Sequence, residues 1–230
     1  MGNDLKNTVF LEFYGLPGSG KSIISHLLAN RYSEAGKTVA EPTYRLDHQC
    51  HALKRKCIKT RRTISYCFSH KNSFAALVKL MKETGSISFT EKISQIVNIC
   101  SKLYCYEKYS FQYDYVIFDE GICQSIVSLS MRDQGNIKKS ESDLFALLDQ
   151  YNTIRIYIRT TIDVALERMN NRPENDSRIE KKNNTDLKAE MLKQMQMTCE
   201  LLSCTFSVSG ERPINEIVDS MMESIRENSN

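Results

Sequence analysis

Residues 15–22 read Gly15-Leu16-Pro17-Gly18-Ser19-Gly20-Lys21-Ser22. This is the G-x-x-x-x-G-K-[ST] pattern of a phosphate-binding loop, which requires a strand before it and a helix after it. Both flanks are present. Val9–Tyr14 is an apolar run, and Ile23, Ile24, Leu27 and Leu28 recur at helical spacing. Glycines at these positions let backbone N–H groups turn inward around a phosphate chain, and the following helix aims its positive end at the same anion. The pattern therefore assigns Gly15, Leu16, Pro17, Gly18, Ser19, Gly20, Lys21 and Ser22 to nucleotide binding. Lys21 reaches the β- and γ-phosphates, and the Ser22 hydroxyl ligates Mg²⁺. The ligands this implies are a nucleoside triphosphate and Mg²⁺, which leaves open what is done with the triphosphate.

The rest of the chain is read against that constraint. Strand candidates occur at Val9–Tyr14, Thr38–Glu41, Tyr115–Asp119, Ile154–Ile158 and Thr205–Val208, with helical patterns between them. The Tyr115–Asp119 run is continuously apolar up to its last residue, as suits a strand covered on both faces. Strands alternating with helices imply an α/β fold, a parallel sheet with helices on both sides. The 230 residues suit one such domain over 1–230. Residues about 45–110 hold helical patterns such as Phe74, Leu77, Val78 and Met81, and carry a basic cluster over 54–62. They read as a helical insertion covering an acceptor. The cluster itself is equally a solvated helix face. Residues about 168–185, rich in Asn, Arg, Glu and Lys, have the composition of a lid. Pro213–Glu227 reads as a closing amphipathic helix.

Bulk properties exclude several classes. A net charge of +3 is too small to argue for nucleic acid or a membrane surface. No run approaches the ~20 apolar residues of a membrane span, and no secretory signal core precedes the first strand. The eight cysteines show no C-x-x-C pair, so reduced thiols in a cytoplasmic protein are the better reading. Neither nucleic-acid nor membrane partners are expected, and a homodimer is compatible with the chain. His26, His48, His51 and His70 show no metal-ligand spacing and read as surface or acceptor-region residues.

Three further sites carry chemistry. Asp119 ends a buried strand, at the edge where ligands of open parallel sheets collect. It is placed to hold Mg²⁺, with Glu120 sharing that task or orienting a nucleophile. The alternative is a pair of acids opening a helix. Arg168 and Arg172, four apart, share a helix face and can clamp a phosphoryl group as charge moves through the transition state. Alternatively they pair with Glu167 or Glu174. Glu41, before Pro42, is placed to take a proton from an acceptor hydroxyl, or is simply part of a strand-ending turn.

In order and spacing, Gly15–Ser22, Glu41-Pro42, Asp119-Glu120-Gly121, Arg168-x-x-x-Arg172 and Val208-Ser209-Gly210 resemble the P-loop nucleoside and nucleotide kinase group. They are most like thymidylate kinase-like proteins. The resemblance implies a P-loop fold with a five-stranded sheet of order 2-3-1-4-5, a helical acceptor region and a lid. It implies an ATP-dependent phosphotransferase acting on a nucleotide such as dTMP or on a nucleoside. It also implies that Ser209–Pro213 lies near the nucleotide base, and that catalysis falls to Lys21, Arg168, Arg172 and Glu41. The chain departs from the pattern at Asp119-Glu120-Gly121, where these families carry an acceptor-binding arginine. The competing reading is a P-loop ATPase or nucleotide switch working through a protein partner. Asp119-Glu120 fits that reading, and Gln124 is its nearest candidate for a water-orienting glutamine.

Overall fold

The structure is a computed structural model describing residues 8–83, 88–130, 137–171 and 185–228. Five strands form one sheet: β1 (Val9–Gly15), β2 (Val39–Ala40), β3 (Tyr115–Phe118), β4 (Thr153–Arg159) and β5 (Phe206–Ser209). Their order is β2-β3-β1-β4-β5, and every pairing is parallel. The α/β class, strand number and strand order expected from the sequence are those observed.

Helix α1 (Lys21–Glu34) follows β1 directly. Between β2 and β3 lie α2 (Tyr44–Gln49), α3 (Ala52–Ser69), α4 (Lys71–Glu83) and α5 (Phe89–Tyr109). After β3 come α6 (Ile122–Ser130) and α7 (Ile137–Phe145). Helix α8 (Ile162–Asn170) and α9 (Thr185–Leu201) link β4 to β5, and α10 (Ile214–Asn228) closes the chain.

The sheet separates two apolar layers because side chains alternate across each strand. Phe10 and Tyr14 of β1 enter one layer with Tyr106, Phe118 and Ile126. Leu11 and Phe13 enter the other with Ile24, Leu28, Ile217 and Met221. Every residue of β1 is buried, which explains its continuous apolar run. Glu12 is the exception, sharing a face with Phe10 and Tyr14 and fully buried. Strand β2 is only two residues long, because Pro42 offers no N–H to extend the ladder. Among the described residues no helix is long and apolar enough to cross a membrane, and all eight cysteines are free thiols.

Candidate active site

The site forms where β1, β2 and β3 run out at the C-terminal edge of the sheet. The chain leaving β1 turns through Leu16–Ser19 into α1. Gly18 adopts φ +83°, and a Cβ there would stand 2.6 Å from the Ala165 carbonyl of α8, so only glycine permits this approach. Gly20 caps α1 without a side-chain hydrogen bond, and the first turn carries no acid. The amino end of α1 thus turns its dipole toward the loop, with no side-chain cap from Gly20 and no acid in its first turn. The Lys21 ammonium donates to the carbonyls of Gly15 (3.1 Å) and Leu16 (2.9 Å), which holds it inside the loop. Ser22 is half-buried beside it.

Gln124 supports the loop from α6. Its Oε1 accepts the Gly15 N–H at 3.1 Å, so the side chain is spent on the loop backbone. Arg168, in the last turn of α8, donates through Nη1 to the carbonyls of Gly210 (3.0 Å) and Gly18 (3.4 Å). It ties the phosphate loop to the turn after β5. Arg172 lies outside the described residues, as does most of the lid segment, 172–184.

Asp119 follows β3 and is only 3% exposed. Its Oδ1 is buried with no hydrogen-bond partner among the described residues. A buried carboxylate oxygen without a donor is costly, and a hard cation is one way to compensate it. Glu120, next in the chain, is exposed.

Two features of this corner were not anticipated from sequence. The first is Glu12, whose carboxylate accepts the N–H groups of Ile122 (2.6 Å) and Cys123 (3.0 Å) and so caps α6 from within the sheet. A Cβ at Gly121 would collide with that carboxylate, which explains the glycine in Asp119-Glu120-Gly121. Burial, and secondarily the Glu12 charge, pushes the Tyr106 hydroxyl and the Cys123 thiol well above their ordinary values. The second is Lys102 of α5. Its ammonium donates to the Gly121 carbonyl and the Ser125 hydroxyl, both at 2.8 Å. Burial lowers its pKa, while Glu120 and Glu12 oppose that shift. A basic side chain therefore does stand at the corner where the triplet lacks an arginine, delivered by a different helix.

At the end of β2, the two Glu41 oxygens lie 2.9 and 3.1 Å from His26 Nδ1. His26 stacks on Tyr44 at 4.2 Å and 9° between planes, and Tyr44 stacks on His48 at 4.2 Å. Part of the basic cluster turns toward the same region. Arg55 and Lys59 approach Asp47 at 3.3 and 3.9 Å, and Lys59 donates to Asn98 at 3.1 Å.

No protein-family model matches the chain, and no curated protein matches it in sequence. Solved structures do match in fold. Deoxyadenosine kinase from M. mycoides, solved with dCMP and a flexible dCDP, aligns at TM-score 0.54 and 13% identity, over 96% of this chain and 99% of that one. The same enzyme with dATP gives 0.54 and 14%, over 95% and 99%. Shikimate kinase from Acinetobacter baumannii, in complex with shikimate, gives 0.52 and 13%, over 96% and 94%. At such identity the likeness establishes the fold, which spans nearly the whole length of each.

Proposed function

We propose that the protein is an ATP-dependent phosphotransferase that moves the γ-phosphoryl group to a small acceptor, a nucleoside or a nucleotide. The observation that carries this reading is the convergence at one sheet edge of the α1 amino end with its glycine cap, the enclosed Lys21 ammonium and an Asp119 oxygen without a hydrogen-bond partner among the described residues. These are, respectively, an anion site, a phosphate cation and a metal ligand. Asp119 and Ser22 would hold Mg²⁺, with Glu120 alongside. Such ions are ordinarily bound by one or two carboxylates, substrate phosphates and water. When bound, the ion would neutralise charge on the β- and γ-phosphates. Lys21 and Arg168, with Arg172, would stabilise the charge that develops in transfer. Helices α2–α5 would cover the acceptor and help exclude water from it. The names of the structural neighbours, both kinases of small molecules, support this reading, as does Glu41 at the end of β2.

A second reading, ATP hydrolysis coupled to a protein partner, draws on exposed Glu120 beside Asp119. The switch glutamine it would need is not offered by Gln124, which is engaged with Gly15. ADP formation with Mg·ATP alone, and then with dTMP, deoxynucleosides or shikimate added, separates the two. Transfer requires ADP release that depends on an acceptor, matched by phosphorylated product. Equal release without any acceptor would favour hydrolysis.

A further inference from the structure

Building on the phosphotransferase reading, we propose that His26 is the base that takes the proton from a hydroxyl acceptor, with Glu41 positioning its ring from behind. The acceptor class is then an alcohol, such as a nucleoside hydroxyl, rather than a phosphate.

The hydrogen bond fixes the direction of proton flow. A carboxylate only accepts, so the Nδ1 that faces both Glu41 oxygens at 2.9 and 3.1 Å is the nitrogen carrying hydrogen. In the neutral ring the lone pair therefore lies on Nε2, on the edge away from Glu41. Exposure separates the two groups further. The Glu41 side chain is 7% exposed and that of His26 is 39% exposed. The carboxylate is turned inward and engaged, while the imidazole is what an incoming acceptor can reach. The ring plane is held by its stack on Tyr44. His26 lies four residues beyond Ser22 on α1, hence on the same helix face, about one turn or ~6 Å further along.

The step balances. The acceptor oxygen forms a bond to the γ-phosphorus as the bond from that phosphorus to the β,γ-bridging oxygen breaks, and its electron pair leaves on ADP. The hydroxyl proton passes to Nε2. The imidazolium is stabilised by Glu41, in the manner of a carboxylate behind a catalytic histidine, and later returns its proton to water. A phosphate acceptor is already ionised and would leave this arrangement without a task. The titratable groups against His26 are Glu41, beyond β2, and Tyr44 on α2, with His48 stacked on the far face of Tyr44.

The test uses the full chain with Mg·ATP, offering the deoxynucleosides and shikimate as hydroxyl acceptors and dTMP as a phosphate acceptor. His26→Gln keeps an N–H for Glu41 but has no basic nitrogen. It should lower kcat for the hydroxyl acceptor by roughly 10²–10⁴-fold, leave KM for ATP near wild type, and abolish the acid limb of the kcat–pH profile. Glu41→Gln should cost less than His26→Gln and loosen the tautomer, because an amide can donate as well as accept, so part of the neutral rings should carry hydrogen on Nε2. A merely structural Glu41 would leave the tautomer unchanged. Nitrogen NMR of His26 in the unliganded protein gives a second readout, with hydrogen on Nδ1 expected in the neutral ring. Wild-type turnover in His26→Gln would return the base role to Glu41 and overturn the inference, as would hydrogen on Nε2. Transfer to dTMP alone would overturn it while leaving the phosphotransferase reading intact. Transfer to no acceptor would remove that reading and this inference with it.

Discussion

Lys21 is held in the phosphate loop by backbone carbonyls of the loop itself. Its removal should therefore disturb the fold far less than the chemistry. Lys21→Ala is expected to abolish measurable transfer and weaken ATP binding, with a stability loss of about 1.5–3 kcal/mol for the charged hydrogen bonds given up. Turnover and thermal melting measured on the same preparation check this, and near-normal turnover would refute the role given to the loop. Asp119 makes a different prediction. Amide oxygen is a poorer ligand than carboxylate for a hard divalent cation, so Asp119→Asn should raise the Mg²⁺ concentration giving half-maximal activity more than it weakens nucleotide binding. A Mg²⁺ titration of initial rates decides it, and an unchanged midpoint would leave Asp119 as a residue opening α6. At this scale the phosphate loop was fully legible in the sequence, because its residues are contiguous and each spacing has a mechanical reason. Lys102 and the His26–Glu41 contact were not. Nothing local in the chain relates position 26 to 41 or 102 to 121, and only the packing of α1 against β2, and of α5 against α6, joins them.

Elements meet at this site through backbone ends. Helix α6 begins beneath the sheet edge with its first N–H groups turned to Glu12 of β1. A buried anion at a helix amino end is favoured both by hydrogen bonding and by the dipole. Glu12→Gln retains one acceptor oxygen but turns an amide N–H₂ toward a donor. It should destabilise the protein by about 1.5–3 kcal/mol, the range for hydrogen bonds to charged groups. Urea unfolding reads this, with an unchanged midpoint counting against the cap. The elements themselves were mostly legible. Strand β3 is observed over Tyr115–Phe118, one residue shorter than the expected Tyr115–Asp119, and α10 over Ile214–Asn228, one residue later at each end than its pattern. The region about 45–110 was read only as helical. Its division into α2, α3, α4 and α5 was not specified, since apolar period reveals a buried face but not where a helix turns back.

For the molecule as a whole, a ligand that binds only the folded state stabilises it by mass action. Mg·ATP at 100-fold its dissociation constant should add about 2.7 kcal/mol. At about 2–4 °C per kcal/mol for a chain of this size, that is a melting shift of roughly 5–11 °C. Calorimetry with and without Mg·ATP measures it, and the shift should largely disappear in Lys21→Ala. An equal shift in the variant would place ATP binding elsewhere on the molecule.

The amino-acid sequence by itself determined the phosphate loop, the parallel α/β architecture and the candidacy of Asp119 and Glu41, because each depends on residues close in the chain or on a periodicity that one element displays alone. The strand order followed from resemblance and agrees with the observed pairing. The tertiary structure alone decided that Glu12 occupies the space a side chain at position 121 would need, that Lys102 brings a basic side chain to that corner, and that His26 stands in front of Glu41. These are contacts between segments distant in the chain, fixed by how the sheet edge gathers its helices, and no local pattern of residue types encodes them.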